Sequence, residues 1–185
     1  MSESDKLIYR VATETDAQSI TTLINSSYFG EESNQGWTNV NEMMTGKRTN
    51  TTSVLDMIAD GNNIFLIFFG ETDQVLKGCI SLTNQPELKS AYVGMFAVRP
   101  DLQARGYGKF ILSTAENYVV DKWNVDDMKL NVIMQKPELV AFYTRRDYAD
   151  TGLREPFPIP QGNKATFRLL RFDLQVGTMS KCVKK

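Results

Sequence analysis

"QARGYGKF", residues 103–110, sets two glycines one residue apart between an apolar run and a helical pattern. A backbone stripped of side chains at a strand-to-helix turn brings its N–H groups close to an anion. The positive end of the helix dipole adds to the attraction. A tight turn alone would also call for glycine, so the residues on either side have to decide. The dinucleotide fingerprint would need a third glycine where Ile111 stands, and the Gly-Lys-Ser/Thr of a nucleotide P-loop is absent. What remains is Gln103, Ala104, Arg105, Gly106, Tyr107, Gly108 and Lys109, a run of amides flanked by two cations and suited to cradling a pyrophosphate.

Upstream of the turn, "NIFLIFFG" (63–70), "VLKGCISLT" (75–83) and "AYVGMFAVR" (91–99) read as three strands. The first two are joined through "ETDQ", which predicts an antiparallel meander. Further back, "KLIYRVAT" (6–13) reads as a first strand, and Thr15 with Gln18 as a capping box. Ala17, Ile20, Leu23, Ile24 and Tyr28 then recur at helical spacing as a core-facing stripe. Residues 30–50 form a polar stretch carrying Trp37, Met43 and Met44, longer than a connector needs and expected to be a lid. A short helix over 52–60 is stopped by Gly61.

Downstream, Phe110, Ile111, Ala115, Tyr118 and Val119 give the helix after the turn an apolar face. "MKLNVIM" (128–134) is another strand, and Pro137 opens a helix running to Arg146. "FRLLRFDLQV" (167–176) reads as the final strand, with an edge for pairing a second copy and hence a homodimer. The order β-α-α-β-β-β-α-β-α-β predicts one α+β domain over 1–176 and a flexible C-terminal tail over 177–185.

A chain of 185 residues can bury about 70% of the surface its unfolded form exposes. A formal net charge of −1 gives no footprint for a phosphate backbone, so no nucleic acid is expected. The polar start MSESDK and the absence of a long apolar run predict a cytoplasmic protein with no membrane partner. Cys79 and Cys182 are expected to be reduced thiols. With no histidine in the chain, Ser-His-Asp and Cys-His catalysis and His-ligated zinc are excluded. No metal is expected, and a cofactor or activated substrate has to carry the difficult step.

Gln-x-x-Gly-x-Gly after a strand ending "GMFAVRP" resembles the acetyl-coenzyme A signature of the GNAT N-acetyltransferases. "PELVAFYTRRDY" (137–148) is similar to that superfamily's fourth helix, and the two segments stand in the expected order with a strand between them. "GWTNVNEMMTGKRT" also resembles a poorly characterised branch, which brings no substrate with it. The resemblance implies a mixed, mainly antiparallel central sheet of about seven strands flanked by helices. Its fourth and fifth strands splay to admit the coenzyme arm, and Gly94 is the place for the break.

Carried onto this chain, amides from Gln103 to Gly108 would hold the pyrophosphate of acetyl-CoA, with Arg105 and Lys109 near its oxygens. Phe96, Ala97 and Val98 would offer backbone groups to the pantetheine arm, and an amide at Phe96 or Ala97 would polarise the thioester carbonyl. Tyr143 would be the general acid for the thiolate. Glu31 and Glu32 are candidate bases, with Ser81 and Tyr92 ordering a water, and their charge would favour a cationic acceptor such as a polyamine or aminoglycoside. Two positions depart from the family pattern. Asp147 stands where a glycine ends the helix, a place Asp tolerates, and Gln135 and Lys136 stand where an Asn is usual.

The expected activity is acetyl transfer from acetyl-CoA to a primary amine of a small molecule or peptide. The alternative is a non-catalytic acyl-CoA-binding module, which would bind tightly and turn nothing over. An interaction domain of the same fold would bind no coenzyme.

Overall fold

The apolar run at 63–70 has no polar face because both of its faces are covered. In the computed structural model, which describes residues 6–159 and 167–184, it is strand β3 (Asn63–Gly70). Phe65 and Ile67 point to one side, against Ala17, Ile20 and Ile24 of helix α1 (Ala17–Tyr28) and Val54 of α2 (Thr51–Ala59). Leu66 and Phe68 point to the other, against Ile111, Leu112, Ala115 and Val119 of α3 (Tyr107–Trp123). Period-two alternation thus makes two cores from one strand.

The remaining strands are β1 (Leu7–Val11), β2 (Met44–Thr45), β4 (Leu76–Gln85), β5 (Ser90–Val93), β6 (Ala97–Val98), β7 (Asp127–Ile133), β8 (Ala149–Pro156), β9 (Arg168–Leu169) and β10 (Gln175–Cys182). The large sheet runs β1-β3-β4-β5-β7-β10-β8, with β6 also on β4. All pairs are antiparallel except β5 with β7, where Ser90–Val93 lies alongside Asp127–Leu130. A small second sheet joins β2 to β9.

β5 and β6 are one strand interrupted at Gly94–Phe96. The Gly94 N–H still reaches the Ser81 carbonyl at 3.0 Å, and a Cβ at Gly94 would lie 2.5 Å from Ser81 Oγ, so any side chain here would have to displace the Ser81 hydroxyl. Beyond Val93 the chain stays on β4 and leaves β7, whose residues 131–133 continue beside β10. The expected splay is therefore present, with its break at Gly94.

Three expectations are corrected. The final strand is β10, eight residues later than expected, and residues 177–182 of the supposed tail lie in it between β7 and β8. Its Gly177 and its polar residues hid the burial of Val176, Gly177 and Met179. A Cβ at Gly177 would run into Met134 Sδ. Of "FRLLRFDLQV", Arg168 and Leu169 form a two-residue strand on β2 and Gln175 and Val176 begin β10, which lies inside the large sheet, so this segment is not the long edge strand expected. The edge at this end of the large sheet is β8, exposed along its whole length and lacking the apolar alternation that would have announced it. At the start, the cap lies two residues earlier than expected: the Thr13 N–H donates to Asp16 Oδ2 at 2.8 Å, ahead of a short 3-10 turn that leads into α1.

The polar stretch at 30–50 is packed. Val40, Met43 and Met44 are buried with Phe29, Ile133, Phe167 and Leu174 in a third cluster. Among the described residues, no helix is long and apolar enough to cross a membrane.

Candidate active site

The glycine turn reaches α3 through two residues of left-handed backbone, Ala104 at φ 61° and Gly106 at φ 89°. Nothing lies within 4 Å of where a Gly106 Cβ would stand. At Gly108 a Cβ would meet the Phe142 and Phe96 rings at 3.5 and 3.7 Å. The turn therefore presents backbone to open space at a helix N-terminus, the geometry that accepts an anion.

That space is a cavity of about 460 Å3 entering the gap between the broken strand and β7. Its walls include Gly94, Phe96 and Val98 on one side and Asn131, Val132 and Ile133 on the other. Of the expected coenzyme residues, Phe96, Val98, Gln103, Ala104, Gly106, Gly108 and Lys109 line it, as does Tyr143. Arg105, Ala97 and Tyr107 do not. Arg105 is exposed outside, Ala97 is paired with Cys79 of β4, and the Tyr107 ring is buried in the main core.

Around the gap the backbone is already partly claimed. The Tyr28 hydroxyl donates to the Phe96 carbonyl at 3.1 Å, and the Val98 carbonyl accepts from Ser27 Oγ and Gln103 Nε2, both at 3.1 Å. Because the Arg99 N–H is bonded to Lys77 O on β4, alternation turns the N–H of Val98 toward the opened side.

Gln103 has a role its sequence did not disclose. Its Oε1 accepts from the N–H groups of Trp37 and Thr38 at 2.9 and 3.3 Å, and its Nε2 also donates to Thr38 Oγ1 at 2.8 Å. Lys136, 7% exposed, holds the same loop from the opposite side, its Nζ donating to the carbonyls of Trp37 and Asn39. Gln135 instead ties Asp173 and Gln175 at the head of β10. Gln103→Ala is expected to lower stability by about 1–3 kcal/mol, because two part-buried amides lose their acceptor. Gln103→Glu keeps that acceptor but sets an oxygen against the Val98 carbonyl where Nε2 donated, so it should recover only part of the loss; denaturant midpoints of the two variants make the comparison.

Tyr143 lies on α4 (Pro137–Thr144), packed edge-on against Phe142 at 5.1 Å and Tyr148 at 5.8 Å. Burial pushes its hydroxyl well above the usual tyrosine range, Tyr28 adds to the rise, and Arg146 opposes it. The turn that follows α4 closes on Asp147 at φ 68°, so aspartate does occupy the left-handed position expected of it.

Sequence reading overlooked Arg146 and its neighbour Arg145, although both stand within the α4 motif. The Arg146 guanidinium lies 3.6 Å from the centre of the Phe142 ring, and its Nη1 donates to the Phe142 carbonyl at 2.5 Å. Its buried Nε has no hydrogen-bond partner among the described residues. Arg145, Arg146, Lys109 and Arg48 make the cavity wall cationic.

The expected bases are elsewhere. Glu31 and Glu32 are exposed outside the cavity, Glu32 lining a separate shallow groove with Gln18, Thr22 and Arg99. Ser81 Oγ is buried under the bulge, and of the pair expected to order a water only Tyr92 lines the cavity. Cys79 is fully buried, which pushes its thiol up to about 12 and leaves it no role as a nucleophile. Among the described residues, no group of three His, Cys, Asp or Glu side chains could hold a metal ion.

Solved N-acetyltransferase structures share this fold. The spermidine N-acetyltransferase from Vibrio cholerae in complex with CoA and spermine has a TM-score of 0.68 at 18% identity, covering 97% of this chain and 96% of that one. Its dodecameric form in an intermediate state has a TM-score of 0.69 at 16% identity, covering 97% and 95%. The spermidine/spermine N-acetyltransferase SpeG of the same organism in complex with manganese ions has a TM-score of 0.68 at 18% identity, covering 96% and 93%. A comparison with curated protein sequences finds no match. The profile of the acetyltransferase (GNAT) family matches residues 25–148, and the chain belongs to that family. It is an acyltransferase of the N-acetyltransferase class.

Proposed function

We propose that this chain transfers an acetyl group from acetyl-CoA to a primary amine of a small molecule or peptide by direct attack, with Tyr143 as general acid. One observation carries the reading: the glycine turn of α3, the gap between β6 and β7, and Tyr143 all open into one cavity. The residues present fit the coenzyme. Gly106 leaves room for close approach of a phosphate, and Lys109, Arg145 and the unpartnered Arg146 Nε supply positive charge beside it.

When bound, the coenzyme supplies an acetyl thioester with an electrophilic carbonyl carbon. The Val98 N–H, turned to the opened side, would hold the arm as a neighbouring strand would. Ala97 is committed to β4, so the amide that polarises the carbonyl falls to Phe96, whose own carbonyl Tyr28 fixes in place. As the amine forms its new C–N bond and the C–S bond breaks, the Tyr143 hydroxyl gives its proton to the departing sulfur. The proton lost by the amine passes to water, since no carboxylate lines the cavity among the described residues, and the Tyr143 oxygen regains its proton from solvent.

Titration calorimetry with coenzyme A and acetyl-CoA, followed by thiol release across an amine panel, tests this. Micromolar binding with amine-dependent thiol release is the expected result. Tight binding with no turnover across the panel would make the chain a binding module, and no binding would remove the coenzyme altogether.

A further inference from the structure

The two ends of the cavity differ in chemistry. One carries the glycine turn with Lys109, Arg145 and Arg146. The other is walled by Phe29, Val40, Met44 and Phe157 and, among the described residues, holds a single cation, Arg48. Arg48 is presented by a fixed backbone. Asn25 Oδ1 accepts from the N–H groups of Arg48 and Thr49 at 2.8 and 3.2 Å, and Asn25 Nδ2 donates to the Thr49 carbonyl at 3.0 Å. The Arg48 guanidinium makes no ion pair among the described residues. Its charge is felt at the hydroxyls of Tyr28 and Tyr92, where it opposes the rise that burial imposes.

No acidic side chain lines the cavity among the described residues. The acid that Tyr92 does feel is Glu155, opposite Val176 on β10, which in turn stands opposite Ile133 on β7. Val176 and Ile133 line the cavity, so Glu155 shares their face of the sheet and stands at the rim, exposed on the edge strand. Water screens a charge in that position, whereas Arg48 is half-buried. A polyamine would bring cations against Arg48 with no carboxylate inside to receive them, an arrangement that costs free energy. An acceptor that carries its own carboxylate meets the guanidinium fork with two parallel hydrogen bonds.

We propose that Arg48 is the specificity residue of the acceptor end, pairing with a carboxylate on a primary amine whose body is apolar, as in an apolar amino acid. This rests on the reading of the chain as an amine acetyltransferase. The carboxylate is unchanged in the reaction: the amide bond forms at the amine nitrogen, the C–S bond breaks, and the sulfur takes the Tyr143 proton.

The test compares L-leucine, L-methionine and L-phenylalanine with their α-carboxamides and with spermidine. Calorimetry on protein loaded with coenzyme A reads binding without turnover, or on free protein if coenzyme A does not bind. Thiol release from acetyl-CoA reads transfer. The acids are expected to bind at least about tenfold tighter than their amides, as for loss of one partner of a desolvated charge pair, with spermidine weakest. Arg48→Gln should erase the preference and Arg48→Lys restore part of it, with coenzyme A affinity equal in all three proteins. A preference for the amides or spermidine, no binding of the acids, or a preference that survives Arg48→Gln overturns the assignment. Selective binding of the acids with no thiol release would leave Arg48 in its role and remove acetyl transfer. Thiol release favouring spermidine would sustain acetyl transfer and remove Arg48.

Discussion

Replacing Gly106 by proline is expected to abolish coenzyme A binding in calorimetric titration while the sheet stays folded. Gly106 holds φ at 89° at the start of α3, and proline is confined to about −65° and lacks an N–H. The substitution therefore both deletes an amide and forces the Ala104–Gly106 turn to another path. Gly106→Ala is the control, because open space surrounds the Cβ position and the cost is backbone strain of about 1–2 kcal/mol alone. It should fold, with a lowered melting temperature, and retain weakened binding. Coenzyme binding by the proline variant at wild-type strength would detach the turn from the coenzyme.

Tyr143→Phe is expected to lower kcat at least about tenfold with little change in coenzyme affinity, since general acids contribute roughly 100- to 10,000-fold. Packing should survive, as the hydroxyl is the only atom removed and the ring keeps Phe142 and Tyr148. Of the other tyrosines on the cavity, Tyr28 spends its hydroxyl proton on the Phe96 carbonyl and is poorly placed to substitute. The raised pKa of Tyr143 keeps the proton in place as pH climbs through and beyond neutrality. The wild-type rate should then rise with pH as the amine loses its own proton, with no falling limb from Tyr143 below about pH 10. An unchanged kcat in the phenylalanine variant would take Tyr143 out of the mechanism.

The parts legible in the sequence were those whose chemistry is local. Two faces of covered apolar residues announce "NIFLIFFG", and glycines that must take positive φ or admit a close neighbour mark Gly106 and Gly94. The tolerance of aspartate for left-handed backbone was enough to place Asp147. What could not be read depends on partners distant in sequence. Strand β8 is exposed on every residue and has no periodicity to betray it. Gln103 reads as part of a phosphate turn until its 65-residue separation from Thr38 closes. Glu31 and Glu32 sit in the right segment, but a 3-10 turn carries them outside, while Arg48 from the same segment lines the cavity.

Gln103 and Lys136 grip the loop at 37–39 largely by its main chain: two N–H groups from one side, two carbonyls from the other. A hold on atoms that every residue possesses is indifferent to side-chain identity. Residues along this wall can therefore be exchanged over evolutionary time while the wall keeps its course, and a neighbouring coenzyme turn need not be rebuilt for each new acceptor.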